Sequence, residues 1–383
     1  WGRWCKKMAG KQHHFGPIIP DAKDFGAGKA LEEYHRTAED LKAGRIPRPK
    51  DEELLRLKDG VNAFLTAKES KVETGELAAR SFANYHKTCG RVIDVIGGHR
   101  AVIDLGPEDF RKLRVAFAKG RGVVSLGNDI RHTRMLFKFC YDEDLIDRPV
   151  KYGQAFDPPT KKSYRVARAA KGPRMFEAEE LRRIIDAADH PLKAMILLGA
   201  NCAFGQADVA RLPKTAVDFK NGWVAFARYK TGIGRRVPLW PETIAALREA
   251  IALRPDPADR AHSKLVFLTP SGKPVVRSHV SLKRAKAAKK LDTEPSAADV
   301  VLIDTVARAM TDLLKGLGIN GGRGFYALRH GFETVAGGTG DQVAVNAVMG
   351  HVDASMAGQY RERIDDSRLQ AVVDHVRAWL WPE

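Results

Sequence analysis

The 383-residue sequence is poor in cysteine. Cys5, Cys89, Cys140 and Cys202 lie far apart and form no CxxC pair. That usage suits a reducing cytosol and supplies neither a disulfide framework nor a zinc site. None of the 12 histidines falls in an HExxH or comparable spacing, so no metal or other cofactor is expected. No apolar run approaches the roughly 20 residues that span a bilayer, and the longest, at 194–204, is broken by Gly199 and Asn201. With no secretory signal pattern either, the expectation is a cytoplasmic chain with no membrane partner. There is no internal repeat. A composition of 44% hydrophobic and 29% charged residues excludes a collagen-like or wholly disordered chain.

Negative charge is also in short supply. Against 64 Lys+Arg stand 47 Asp+Glu, a formal net charge of +17. This excess points to a polyanionic partner, either nucleic acid or an anionic surface. At about 100–200 residues per domain the length predicts two or three domains.

Patterning divides the chain. Residues 1–48 read as a small module: a hairpin about Ala9-Gly10, then a helix over 28–42 with Leu31, Tyr34, Ala38 and Leu41 on one face. It suits an accessory DNA contact or a plain solvated surface. Residues 49–150 read as helical throughout, with segments near 52–70, 74–96, 107–119 and 124–141. On the last of these Arg131, Arg134 and Lys138 share a face, as either a phosphate clamp or a solvated stripe. Residues 151–174 form a basic linker. Within it 161–174 carries Lys161, Lys162, Arg165, Arg168, Lys171 and Arg174 and no acid, and is expected to run extended along a phosphate backbone. Residues 175–383 form the last domain. It opens on helices to about Leu212 and continues with a hairpin of strands at 223–229 and 235–239. Further helices are expected at 241–253, 279–291 (with Lys283 and Arg284), 298–315 and beyond Gly324.

The chemistry-bearing residues cluster in the C-terminal third. Tyr326-Ala327-Leu328-Arg329-His330 is followed by Val348-Met349-Gly350-His351, and Tyr360 comes nine residues after that histidine. Upstream, Lys230 sits at the hairpin tip before Arg236-Val237-Pro238-Leu239. In order and spacing these pieces resemble the tyrosine recombinase (phage integrase) family from about Phe176 to Ala378, and the helical segment before it more loosely. The resemblance implies a mainly α fold with small β-sheets. A helical, SAM-like core-binding domain would precede an α+β tyrosine recombinase catalytic domain, with the short hairpin/helix module in front.

It also implies a function: site-specific DNA recombination that integrates or excises a mobile element. Tyr360 would attack a phosphodiester to give a 3′-phosphotyrosyl intermediate, and Arg329 would hold a non-bridging oxygen. Lys230 would protonate the leaving 5′-oxygen, and His351 would orient the phosphate. DNA contacts fall to Arg131, Arg134, Lys138, Lys161, Lys162, Arg165, Arg168, Lys283 and Arg284. The implied partners are double-stranded DNA, DNA-bending or directionality factors, and three further copies of the chain. The apolar stripe of 367–381 (Leu369, Val372, Val373, Val376, Leu380) would dock on a neighbour or fold back on its own domain.

Two positions depart from the family pattern. Tyr326 stands where a histidine is usual three residues before Arg329, and a phenol of pKa about 10 is a poor base at neutral pH. More seriously, Gly205 stands where the first catalytic arginine belongs, although Asp208 and Leu212 keep the rest of that motif. Arg211, Arg228, Arg235 and Arg323 are candidate replacements, and Gln206 could offer a neutral donor. Without one, the chain would be an impaired recombinase that occupies DNA sites without strand exchange. A topoisomerase of the same chemistry fits less well, since it would not need the N-terminal module.

Overall fold

A computed structural model describes residues 2–45, 47, 50–280, 300–319, 321–353 and 355–382. At the N-terminus Arg3–Met8 (β1) and Lys11–Pro17 (β2) pair antiparallel. Ala9 and Gly10 both take positive φ (48° and 79°), as a two-residue hairpin turn requires. Ala27–Lys42 (α1) covers the ribbon, and Met8, Phe15, Ala30 and Ala38 make a small core flanked by Tyr34 and Leu41.

The helices Leu57–Glu73 (α2), Ala79–Ile96 (α3), Pro107–Ala118 (α4) and Val123–Asp142 (α5) follow. Phe110 meets Phe137 edge-on at 5.5 Å and Phe156 at 5.1 Å, the aromatic centre that the apolar spacing foreshadows. Asp129 is buried there, ion-paired to Arg91 and Arg121 and accepting the Thr88 hydroxyl at 2.9 Å.

Backbone contacts divide the chain into two units, one of residues 1–68, 87–121 and 125–158 and another of 69–86, 122–124 and 159–383. In the second, Lys161–Ala169 is a helix (α6), not the extended strand of charge expected. Thr160 caps it by accepting the Ser163 N–H at 3.2 Å. Its Lys, Arg and Ala residues are strong helix formers that need no apolar face to propagate. None of its residues is buried.

Ala178–Ala187 (α7), Leu192–Cys202 (α8) and Gln206–Arg211 (α9) come next. Every residue of α8 from Ala194 onward is buried, so this helix is the axis of the core. Val217–Asp218 (β3), Trp223–Ala225 (β4) and Arg236–Pro238 (β5) form a three-stranded antiparallel sheet in that order. The strand expected at 223–229 is shorter. Its pairing nevertheless continues irregularly, with Phe226 N–H on Arg235 O (2.9 Å) and Arg228 N–H on Ile233 O (2.8 Å).

Pro241–Ala252 (α10) leads to a second ribbon, Val276–Val280 (β6) paired antiparallel with Val300–Asp304 (β7). Beyond His279 and Val280, which end β6, the helix expected at 279–291 lies outside the described residues. The start of the helix expected at 298–315 is corrected, since the β-branched run Val300, Val301 and Ile303 makes a strand. The helix starts only at Thr305–Gly316 (α11), where Asp304 accepts the Ala307 N–H at 2.8 Å. Lys283 and Arg284 lie outside the described residues.

Tyr326–Ala336 (α12), Gln342–Met349 (α13), Met356–Tyr360 (α14) and Asp366–Leu380 (α15) complete the chain. The apolar stripe of α15 packs on its own domain: Leu369, Val372, Val373, Val376 and Leu380 are at most 5% exposed. Trp240 Nε1 donates to Val373 O at 3.0 Å, and Arg182 donates to Leu380 O at 2.6 Å. Docking of this stripe on a neighbouring copy is therefore not what the structure shows, because its apolar area is already spent within the domain.

The contact of α8 with α12 sets the site. A Cβ at Gly199 would lie 2.6 Å from Leu328 Cδ1 and 3.2 Å from its Cβ, one residue before Arg329. Gly199→Ala should cost about 1–3 kcal/mol in denaturant unfolding. An unchanged midpoint would show that the two helices can part freely.

Candidate active site

Arg329 points inward from α12 and is 3% exposed. Its Nη1 donates to Ala203 O and its Nη2 to Met349 O, both at 2.7 Å. These carbonyls belong to helix ends. Ala203 closes α8 in a left-handed conformation (φ 53°), and Met349 is the last residue of α13. Helix C-termini carry unpaired carbonyls and partial negative charge, so they suit a buried guanidinium.

The same Nη2 lies 2.9 Å from His351 Nε2. A guanidinium can only donate, so Nε2 must accept and the ring proton sits on Nδ1. Nδ1 in turn lies 3.3 Å from Asn346 Oδ1, an acceptor that fixes this tautomer. The His351 pKa falls below its ordinary value, through burial first and then the charge of Arg329, with Glu333 opposing and Arg228 adding. Burial also presses the Arg329 guanidinium down to about 10, with Arg228 and Arg235 adding repulsion and Tyr326 and Asp208 opposing it.

Asp208 survives from the family motif and anchors the other half. It accepts the Gly205 N–H at 3.0 Å and stands 3.0 Å from the fully buried Arg235 guanidinium. Arg235 also donates to Phe226 O at 3.1 Å and stacks over the Phe204 ring at 4.2 Å. Arg228 Nη1 and Thr231 Oγ1 both donate to Gly350 O, at 3.3 and 3.1 Å, which ties the Lys230 hairpin to the end of α13. A Cβ on Gly350 would come within 3.0 Å of Arg228 and Arg235, and its φ is +61°. Three guanidiniums thus crowd a site where Asp208 is the touching carboxylate, and the surplus positive charge suits an anion.

Of the expected site residues, the structure joins Arg329 to His351 and puts Tyr326 nearby on α12, half-exposed and edge-on to His330 at 5.4 Å. Lys230 is exposed at the hairpin tip, and Tyr360, on α14, is 79% exposed. Among the described residues neither hydrogen-bonds to the Arg329–His351 pair. On α5, Arg131 donates to Asn128, Arg134 pairs with Asp157 and Lys138 pairs with Asp142, so internal partners occupy this stripe. Lys161, Lys162, Arg165 and Arg168 are exposed on α6. Arg168 and Arg174 lie close enough to depress the His330 pKa, after burial. Among the described residues no group of His, Cys, Asp and Glu could hold a metal ion, and no helix is long and apolar enough to cross a membrane.

Sequence reading passed over Asn346, Thr231 and the burial of Arg235. A usable signal existed in the strand period of two. It places Val224, Phe226 and Arg228 on one face, and Arg235 with Val237 on the inner face of the partner strand.

Residues 174–300 match the sequence model of the Phage integrase family, while no curated protein matches the chain. Among solved structures, the fold resembles a lambda integrase dimer bound to a COC′ core site, with TM-score 0.57 and 13% identity over 95% of both chains. A lambda integrase tetramer bound to a Holliday junction gives 0.52 and 15%, again over 95% of each. The Tn1549 transposon integrase in complex with a circular intermediate DNA gives 0.57 and 13%, over 84% of this chain and 99% of that one. Residues 174–300 thus match the Phage integrase family model, and the chain has the fold of the lambda and Tn1549 integrases.

The lowered pKa of His351 has a definite sign. The folded state favours the neutral ring, so stability is full above the unfolded value of about 6.5 and is lost as pH falls below it. Melting temperature between pH 7 and 5 should fall more steeply for the wild type than for His351→Gln. Parallel profiles would contradict the neutral Arg329-bound ring.

Proposed function

We propose that the chain is a site-specific DNA recombinase that integrates or excises a mobile element. The observation that carries this reading is the buried Arg329, paired with a neutral His351 beneath a hairpin that bears Lys230. A scissile phosphate seated there would meet fixed donors where charge develops in the transition state. Tyr360 Oη attacks phosphorus, its hydroxyl proton passing to solvent, while the bond to the 5′-oxygen breaks. Lys230 gives that oxygen its proton, leaving a 3′-phosphotyrosyl chain and a 5′-hydroxyl. The hydroxyl of a partner strand reverses the step, so the bond energy is conserved. Tyr326, beside Arg329, offers a further hydroxyl to the phosphate.

The exposed face of α6 suits the phosphate backbone of the same duplex. By analogy with the lambda integrase tetramer on its junction, four copies act on two duplexes, joined by surfaces other than the apolar stripe of α15. A second reading, DNA-site occupancy without strand exchange, is favoured by Gly205. The exposure of Tyr360 supports the enzyme reading, since a nucleophile must reach an external phosphate.

The test is covalent trapping on a nicked suicide duplex bearing the site that the protein selects from randomised DNA. Wild type should form a protein–DNA adduct and Tyr360→Phe none. Tight binding without an adduct would establish the second reading instead.

A further inference from the structure

Position 205 opens α9 in ordinary extended geometry (φ −92°, ψ 172°). The atoms nearest a Cβ built there are Asp208 Oδ2 at 3.7 Å and the Tyr326 ring at 3.9 Å, both at ordinary contact distance. The site thus has room for a side chain at 205 and has none. The four arginines near the motif are placed very differently. Arg323 forks onto Glu180 at 2.6 and 2.8 Å and also donates to Met175 O, so it is committed elsewhere. Arg211 lies over the Tyr229 ring at 3.7 Å and donates to Ala207 O on its own helix. Arg235 is sealed from solvent beside Asp208 and against Phe204, where no phosphate of a duplex can reach it.

Arg228 remains. Its side chain is half-buried on the inner face of the hairpin, and Nη1 reaches Gly350 O at 3.3 Å. Arg329 grips the carbonyl just before it, that of Met349, so two guanidiniums meet on consecutive peptide carbonyls beside His351. The Arg228 charge is also felt by Arg329, His351 and Arg235 alike. A guanidinium bond to an uncharged carbonyl at 3.3 Å is long and readily exchanged for an ion pair with a phosphate oxygen.

We propose that Arg228, delivered by the β4–β5 hairpin, is the second phosphate-clamping guanidinium of this site, replacing the side chain that Gly205 lacks. Arg235 is then a positioning residue that neutralises Asp208 and backs the hairpin. Arg228 transfers no proton; it holds a non-bridging oxygen while the phosphorus changes partners. This assignment rests on the recombinase reading above.

The experiment follows adduct formation on the same suicide duplex, with melting temperature and gel-shift retention measured in parallel. Arg228→Ala should slow cleavage roughly 10²–10³-fold, as the loss of one transition-state donor does, without lowering the melting temperature. Arg228→Lys should recover only part of the rate, because an ammonium cannot fork. Adding Gly205→Arg to Arg228→Ala should restore at least about tenfold, by returning a guanidinium to the open slot. Cleavage by Arg228→Ala within about threefold of wild type overturns the assignment alone. So does a loss that tracks a lowered melting temperature and is not repaired by Gly205→Arg. No adduct from the wild type overturns the recombinase reading, and this assignment with it.

Discussion

Arg329 is almost wholly buried, and its charge survives there because two helix ends give up their carbonyls to it. A buried cation without partners would cost several kcal/mol, so the ends of α8 and α13 must stay where they are. That requirement explains local features that otherwise look unrelated. Ala203 accepts a left-handed backbone at the end of α8, Gly350 has no room for a side chain, and Gly199 lets α12 lie close on α8. Together they hold one guanidinium at a fixed depth. Carbonyl oxygens satisfy its hydrogen bonds without neutralising its charge. With Arg228 and Arg235 nearby, the pocket keeps a positive potential that a bound phosphate would discharge.

Around position 205 the charge set is organised by Asp208. Asp208 keeps its place at the start of α9, where its carboxylate caps the N–H of Gly205. Its cationic partner is Arg235, at the base of the hairpin just before β5. The Lys230 tip is thereby tied at two points, through Arg235 to Asp208 and through Thr231 and Arg228 to Gly350.

Much of this was legible in the sequence. Apolar spacings of three and four placed α1, α4, α5, α10 and α15 to within a few residues. Of the ordered set Lys230, Arg329, His351 and Tyr360, the structure joins Arg329 to His351. The failures have physical causes. The segment 161–169 has no apolar stripe, so periodicity was silent and only the Thr160 cap and intrinsic propensity made α6. The run at 300–304 was absorbed into a following helix, because a short apolar stretch looks alike in either state. The stripe on α5 reads in sequence as either a clamp or a solvated face, and its pairing of Lys138 with Asp142 and Arg134 with Asp157 is not visible in the spacing. Whether the stripe of α15 folds in or docks out depends on the complementary apolar surface, including Trp240, far away in sequence. Ranking the arginines likewise needed burial, which no linear pattern reports.

In the proposed arrangement one pocket, built on the carbonyls of Met349 and Gly350, presents two guanidiniums to one phosphate. The most direct measurement is a structure of the Tyr360→Phe chain on the nicked duplex, with the scissile phosphate in place. The account predicts Arg228 and Arg329 each within about 3 Å of its non-bridging oxygens, with His351 beside them. A phosphate bound by Arg329 while Arg228 stays on the Gly350 carbonyl would contradict it.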